Sequence, residues 1–77
     1  MRITFDPAAG AAYVYLAPQI AKGGVKRCVP LTLDEGDLVL DFDEAGKLLG
    51  IEILSASMLP DSVLKAAELP PVEALSK

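Results

Sequence analysis

The sequence predicts an α+β fold: a five-strand antiparallel β-meander with one short C-terminal helix packed on one face. Three observations lead there. Apolar and polar residues alternate with a period of two over much of residues 1–54. Clusters of Asp, Pro and Gly punctuate that stretch at turn-like intervals, and after Leu54 the period changes.

Ile3 and Phe5 alternate with Arg2, Thr4 and Asp6, which gives a first strand. Asp6-Pro7-Ala8-Ala9-Gly10 then reads as a turn, because proline presets φ and Gly10 permits a positive one. A second strand covers residues 11–17, with Tyr13, Val14 and Tyr15 supplying β-branched and aromatic side chains. Residues 18–24 are a loop ending in Gly23-Gly24, and a third strand covers 25–33. Pro30 interrupts it; lacking an N–H, it belongs at a bulge or on the side of a strand that has no neighbour, and the strand is expected to bend there. A fourth strand at 38–42 and a fifth at 47–54 complete the sheet, separated by Asp43-Glu44-Ala45-Gly46.

Register follows from arithmetic. A four-residue loop at 34–37 sets Leu33 against Leu38, Leu31 against Leu40 and Val29 against Phe42. A second four-residue loop at 43–46 sets Leu40 against Leu49 and Leu38 against Ile51, with Asp43 not paired to Lys47. The rival is a three-residue loop with Gly46 in the left-handed region, which pairs Asp43 with Lys47 but sets Leu38 against Glu52. The first register is preferred because it keeps leucine and isoleucine on one face. Ser55-Ala56-Ser57 reads as a turn, or one helical turn. A short helix follows at 62–69 with Asp61 as N-cap and Val63, Leu64 and Ala67 as its apolar stripe. Pro70-Pro71 ends it, so residues 1–69 form the domain and 70–77 a tail.

Composition narrows the functional classes. Seventy-seven residues hold one domain of the size that often needs a disulfide, a metal or self-association to complete its core. Cys28 is the sole cysteine and histidine is absent, so an internal disulfide is impossible and a Cys/His zinc site lacks ligands. The apolar fraction is nevertheless 52%. That excess leaves oligomerisation as the expected device. The first residues lack the apolar segment of a secretory signal, and no stretch approaches a membrane span, so a cytoplasmic location without membrane association is expected. A net charge of −4 disfavours nucleic acid, and the trio Lys22, Lys26 and Arg27 reads as a solvated loop rim.

Candidate chemistry is sparse. Asp37, Asp41 and Asp43 share the face opposite the leucines, and the preferred register sets Glu52 across from Asp37. Oxygen ligands of this kind suit Mg²⁺ or Ca²⁺. Asp41 to Gly46 fails the EF-hand pattern, however, and Asp and Gly are what hairpin turns require, so no metal ligand is assigned. Glu52, flanked by Ile51 and Ile53, is expected to be partly buried and to serve as a structural anchor or interface contact. Tyr13 and Tyr15 lie on one face of the second strand as packing or interface residues. Cys28 beside Arg27 has no histidine partner and reads as a small, partly buried hydrophobe. Ser55, Ser57 and Ser62 have no histidine base in the chain, and Gly23-Gly24-Val25-Lys26 lacks the Walker spacing. No catalytic or cofactor-binding residue is assigned, and an enzyme is not expected.

Two stretches carry a family resemblance. Ile3-Thr4-Phe5-Asp6-Pro7 followed by Ala11-Ala12-Tyr13-Val14 is similar to an opening of apolar–x–aromatic–Asp turn and Ala-Leu-Tyr-Ile strand. Asp41-Phe42-Asp43-Glu44-Ala45-Gly46-Lys47-Leu48-Leu49-Gly50-Ile51-Glu52-Ile53-Leu54-Ser55-Ala56-Ser57 is similar to Asp-x-Asp-x-x-Gly-x-Leu-Val-Gly-Ile-Glu-Ile-Leu-x-Ala-Ser. Together they resemble the small bacterial family catalogued as domain of unknown function 2283, over residues 1 to about 58. Gly10 and Ala12 depart from its usual Asp and Leu. The resemblance implies a fold and no activity. The expected role is therefore a non-catalytic protein-interaction module, a homodimer or a regulatory, antitoxin-like subunit docking a cognate protein. The alternative is a domain binding a small ligand or divalent metal on the acidic face formed by Asp37, Asp41, Asp43 and Glu52.

Overall fold

Residues 1–70 are described by a computed structural model, in which five antiparallel strands form one sheet followed by two short helical segments. The strands are β1 (Arg2–Asp6), β2 (Ala11–Tyr15), β3 (Arg27–Leu33), β4 (Gly36–Phe42) and β5 (Leu48–Ile53). A 3-10 turn at Ala56–Met58 and a helix α1 at Asp61–Ala66 complete the order. The α+β class and the five-strand antiparallel sheet are as expected. The sheet order is β1-β2-β5-β4-β3, so it combines a β1–β2 hairpin with a β3–β4–β5 meander whose last strand inserts beside β2. The 16–26 connection crosses from one edge of the pair to the far edge.

Both hairpin registers differ from the preferred arithmetic. Leu33 pairs with Gly36, Leu31 with Leu38 and Val29 with Leu40, so the β3–β4 loop holds two residues instead of four. Gly36 makes that possible: its φ is +147°, and a Cβ there would sit 2.7 Å from the Ser55 side chain. A shift of two residues preserves the faces, which is why the leucines still share one. Pro30 lies in unbroken register opposite Val39, so the strand does not bulge there; its place is the sheet edge.

At the β4–β5 turn the rival loop is adopted. The Asp43 N–H donates to the Lys47 carbonyl at 2.9 Å, the Lys47 N–H donates to Asp43 Oδ1 at 2.8 Å, and Gly46 has φ +82°. The penalty foreseen for that loop, Leu38 against Glu52, is avoided by a bulge. Phe42 pairs with Leu48 but Asp41 with Gly50, leaving Leu49 as the extra residue. Beyond it Leu40 pairs with Ile51 and Leu38 with Ile53, not with Leu49 and Ile51. The Leu49 carbonyl is not wasted, since it accepts from both the Leu16 and Ala17 N–H groups at 2.9 and 3.0 Å.

Helix α1 is shorter than the expected 62–69 span, and Pro60 rather than Asp61 occupies its N-cap position, with no side-chain cap. Asp61 instead lies in the first turn, where a carboxylate complements the exposed N–H groups. The helix stops at Ala66 because the next residues turn extended and add to the outer edge of β1. Glu68 exchanges backbone hydrogen bonds there, donating to the Ile3 carbonyl at 3.0 Å and accepting from the Phe5 N–H at 2.8 Å. Ser62, Val63 and Ala66 share a crevice with Met1, Arg2 and Ile3, so the helix meets the sheet at β1. The tail expected at 70–77 lies, beyond Pro70, outside the described residues.

Burial is shallow. Among the described residues the buried apolar positions are Ala12, Ile53 and Ala56, and no large side chain is fully buried. One sheet face carries Ile3, Phe5, Val14, Leu31, Leu38, Leu40, Ile51 and Ile53 at paired positions. Toward β3 that face is open: Leu31 is 40% and Leu33 45% exposed.

Candidate functional site

The opposite face is built around Tyr13. On β2 it pairs with Thr4 of β1 on one side and Glu52 of β5 on the other, while Tyr15 pairs with Gly50. Gly50 pairs in turn with Asp41 of β4. These residues therefore occupy one face of four adjacent strands. Gly50 has no side chain to project between them, and the Tyr13 ring fills the room: an added Cβ would lie 2.5 Å from its Cε1 and hydroxyl. Lying across the glycine, Tyr13 reaches the next strand, and its hydroxyl donates to Asp41 Oδ2 at 2.7 Å.

The surroundings hold that phenol neutral. Burial pushes the Tyr13 pKa well above its ordinary value, and the hydrogen bond to Asp41 and the negative charge of Asp41 push in the same direction. Tyr15 packs against it with ring centroids 4.7 Å apart at 57°, and the Arg2 guanidinium lies 4.3 Å above the Tyr15 ring. The two tyrosines share a face as the alternation predicts.

A cavity of about 420 Å³ opens on this face. Thr4, Tyr13, Tyr15, Asp41 and Glu52 supply its polar lining, and Ile20 and Val25, from the 16–26 connection, supply apolar wall. Asp6 also lines it, but one of its oxygens accepts from the Ala8 and Ala9 N–H groups at 3.1 and 3.3 Å and so holds the β1–β2 turn. Thr4 is only 3% exposed. No hydrogen bond among the described residues uses its hydroxyl or the Glu52 carboxylate.

The acidic constellation foreseen from sequence is dispersed. Glu52 faces Val39 and Tyr13 rather than Asp37, which pairs with Thr32 near the other end of β4. Asp43 is engaged in its own turn. Among the described residues no three acidic or cysteine side chains converge closely enough to hold a metal ion. Glu52 is half-buried as expected, while Cys28 is exposed rather than partly buried. It stands on the edge strand opposite Asp41. Thr4 was missed by sequence reasoning. The one signal that could have found it is its place between Ile3 and Phe5 on the tyrosine side of the first hairpin. Among the described residues no helix is long and apolar enough to cross a membrane.

A family model described as "Protein of unknown function (DUF2283)" matches residues 2–57, which takes in every strand and most of the 3-10 turn. No curated protein and no solved structure matches the chain.

Proposed function

The chain belongs to the DUF2283 family of unknown function, and from that premise we propose that it is a non-catalytic interaction module that pairs with a second copy of itself through the leucine face of the sheet. The observation that carries this reading is the absence, among the described residues, of any fully buried large side chain in a chain so rich in apolar residues. A domain this small depends on apolar burial to offset chain entropy, and each Leu or Ile fully withdrawn from water contributes about 1.5–3 kcal/mol. Leu31 and Leu33 supply such surface on this face, continuous with half-buried Leu38, Leu40 and Ile51.

Two features favour a second copy laid face to face. The paired positions of this face contain no Asp or Glu, and its one charged side chain, Arg27, rests 5.3 Å over the Phe42 ring. The acidic surplus of the chain is therefore kept off the contact. Edge-to-edge extension is opposed at β3 by Pro30, which cannot donate to a new strand, and at β1 by the segment around Glu68. A two-fold axis through the leucine face needs only one self-complementary patch.

Sedimentation equilibrium at micromolar concentration tests the proposal. The expected result is a dimer for the natural chain and a folded monomer for Leu31→Lys/Leu33→Lys. A folded natural chain that remains monomeric defeats it.

A further inference from the structure

The cavity on the tyrosine face lies on the other side of the sheet from the proposed dimer contact, and its lining has a definite chemical character. Asp6, Asp41 and Glu52 contribute three carboxylates, and no Lys or Arg lines it. Two of those carboxylates have work elsewhere: Asp6 holds its turn and Asp41 receives the Tyr13 hydroxyl. Glu52 is half-buried on a central strand with no partner among the described residues. Its carboxylate therefore keeps its acceptor capacity for whatever enters the cavity.

Thr4 adds a second polar group with unused capacity, and since no buried side-chain oxygen or nitrogen among the described residues lacks a partner, its hydroxyl is open to the cavity. Its side chain is almost wholly buried, lines the cavity, and makes no hydrogen bond among the described residues. A threonine hydroxyl lining the cavity supplies acceptor lone pairs two strands away from the Glu52 acceptor, across Tyr13. The rings of Tyr13 and Tyr15 add electron-rich faces, and the chain itself already uses the Tyr15 ring to seat a guanidinium, that of Arg2.

Carboxylate, hydroxyl acceptor and aromatic faces, walled by Ile20 and Val25, describe a receptor for positive charge carried on hydrocarbon. We infer that the cavity binds an organic cation, a primary ammonium or guanidinium group on a short aliphatic stem. Glu52 takes the charge, Thr4 accepts a further N–H, the tyrosine rings flank the group, and Ile20 and Val25 pack along the stem. A bare divalent metal does not suit the same place, because the carboxylates do not converge. The cavity volume lies within the range of small-ligand pockets and exceeds what one ammonium group fills, leaving room for the stem.

The chain carries its own reporter. It has two tyrosines and no tryptophan, and both tyrosines line this cavity, so intrinsic fluorescence reports on the site alone. The full chain is titrated with n-butylammonium, N-butylguanidinium and a lysine-containing tripeptide blocked at both ends, with 1-butanol as the neutral counterpart. Saturable change with at least one cation and none with the alcohol is expected. Glu52→Gln, which keeps size and polarity, should weaken that cation by about tenfold or more. Tyr15→Leu should weaken it less, and Tyr15→Phe should leave it nearly unchanged. Tighter binding of the small cations assigns a free ligand, and tighter binding of the tripeptide assigns a side chain presented by a partner; both support the inference. Absence of saturation by all three cations overturns it. So does equal affinity for Glu52→Gln in a variant with an unchanged circular-dichroism spectrum.

Discussion

At Gly50 the sheet carries no side chain, and the Tyr13 ring lies where one would project, with its hydroxyl on Asp41. Gly50→Ala must therefore displace the ring and break the hydrogen bond. A bond from a part-buried phenol to a carboxylate is worth about 1.5–3 kcal/mol, so Gly50→Ala should cost roughly 2–3 kcal/mol once lost ring packing is added. Tyr13→Ala removes the same contacts, so the double variant should fall short of the sum of the singles, measured by urea unfolding. Strict additivity would show that the ring does not depend on the glycine. The same phenol gives a pH dependence. Its folded pKa is raised, chiefly by burial, above the ordinary 10.0, so above that value the unfolded chain loses a proton that the folded chain keeps. The stabilisation it contributes is fully present below pH 10.0 and declines as pH rises toward the folded value. Tyr13→Phe should flatten that alkaline decline, and an unchanged slope would assign it to other groups. Glu52 was legible as partly buried because isoleucines flank it, and Tyr13 and Tyr15 were legible as face-sharing by alternation. Their meeting with Asp41 and Thr4 was not, because it depends on β5 lying between β2 and β4, and alternation along one strand carries no information about its neighbours in the sheet.

Elements in this chain were easier to read than their registers, and the β4–β5 hairpin shows why. Hydrophobic matching favoured a four-residue loop, while Asp43 and Gly46 favoured three residues with a left-handed glycine. The chain satisfies both by placing Leu49 in a bulge, a device that period-two arithmetic does not contain. The β3–β4 loop failed differently. Two-residue shifts preserve the face of every side chain, so the pattern cannot distinguish them, and the conformation of Gly36 decides. Helix α1 ends earlier than the sequence pattern implies, because Ala67 and Glu68 are acceptable helix residues while the pull of the open β1 edge is a tertiary effect. Gly46 offers an element-scale test. A Cβ there meets no neighbour within 4 Å, but φ is +82°. Gly46→Ala should therefore cost about 1 kcal/mol through backbone strain alone, while Gly46→Asn should cost less because asparagine tolerates that region. Equal losses for the two would indicate that the turn opens instead of straining.

For the molecule as a whole, the shallow core makes stability a property of concentration. If folding and pairing are coupled through the leucine face, dilution withdraws the partner by mass action and lowers the unfolding temperature. Leu31 and Leu33 decide whether that happens. On a lone sheet both are already about half wet, so replacing them with lysine removes little burial and should shift stability only slightly. In a face-to-face dimer both are enclosed, and the same change buries a charge without a partner. The natural chain should therefore show an unfolding temperature that rises over a hundredfold increase in protein concentration. Leu31→Lys/Leu33→Lys should unfold at a lower temperature that is the same at every concentration. A net charge of −4 on each copy adds a further signature. Two like-charged copies repel at long range, and salt screens that repulsion while leaving apolar burial intact, so moderate salt should raise the unfolding temperature of the natural chain more than that of Leu31→Lys/Leu33→Lys. Concentration-independent unfolding of the natural chain would mean that the sheet stands on its own with its leucines in water.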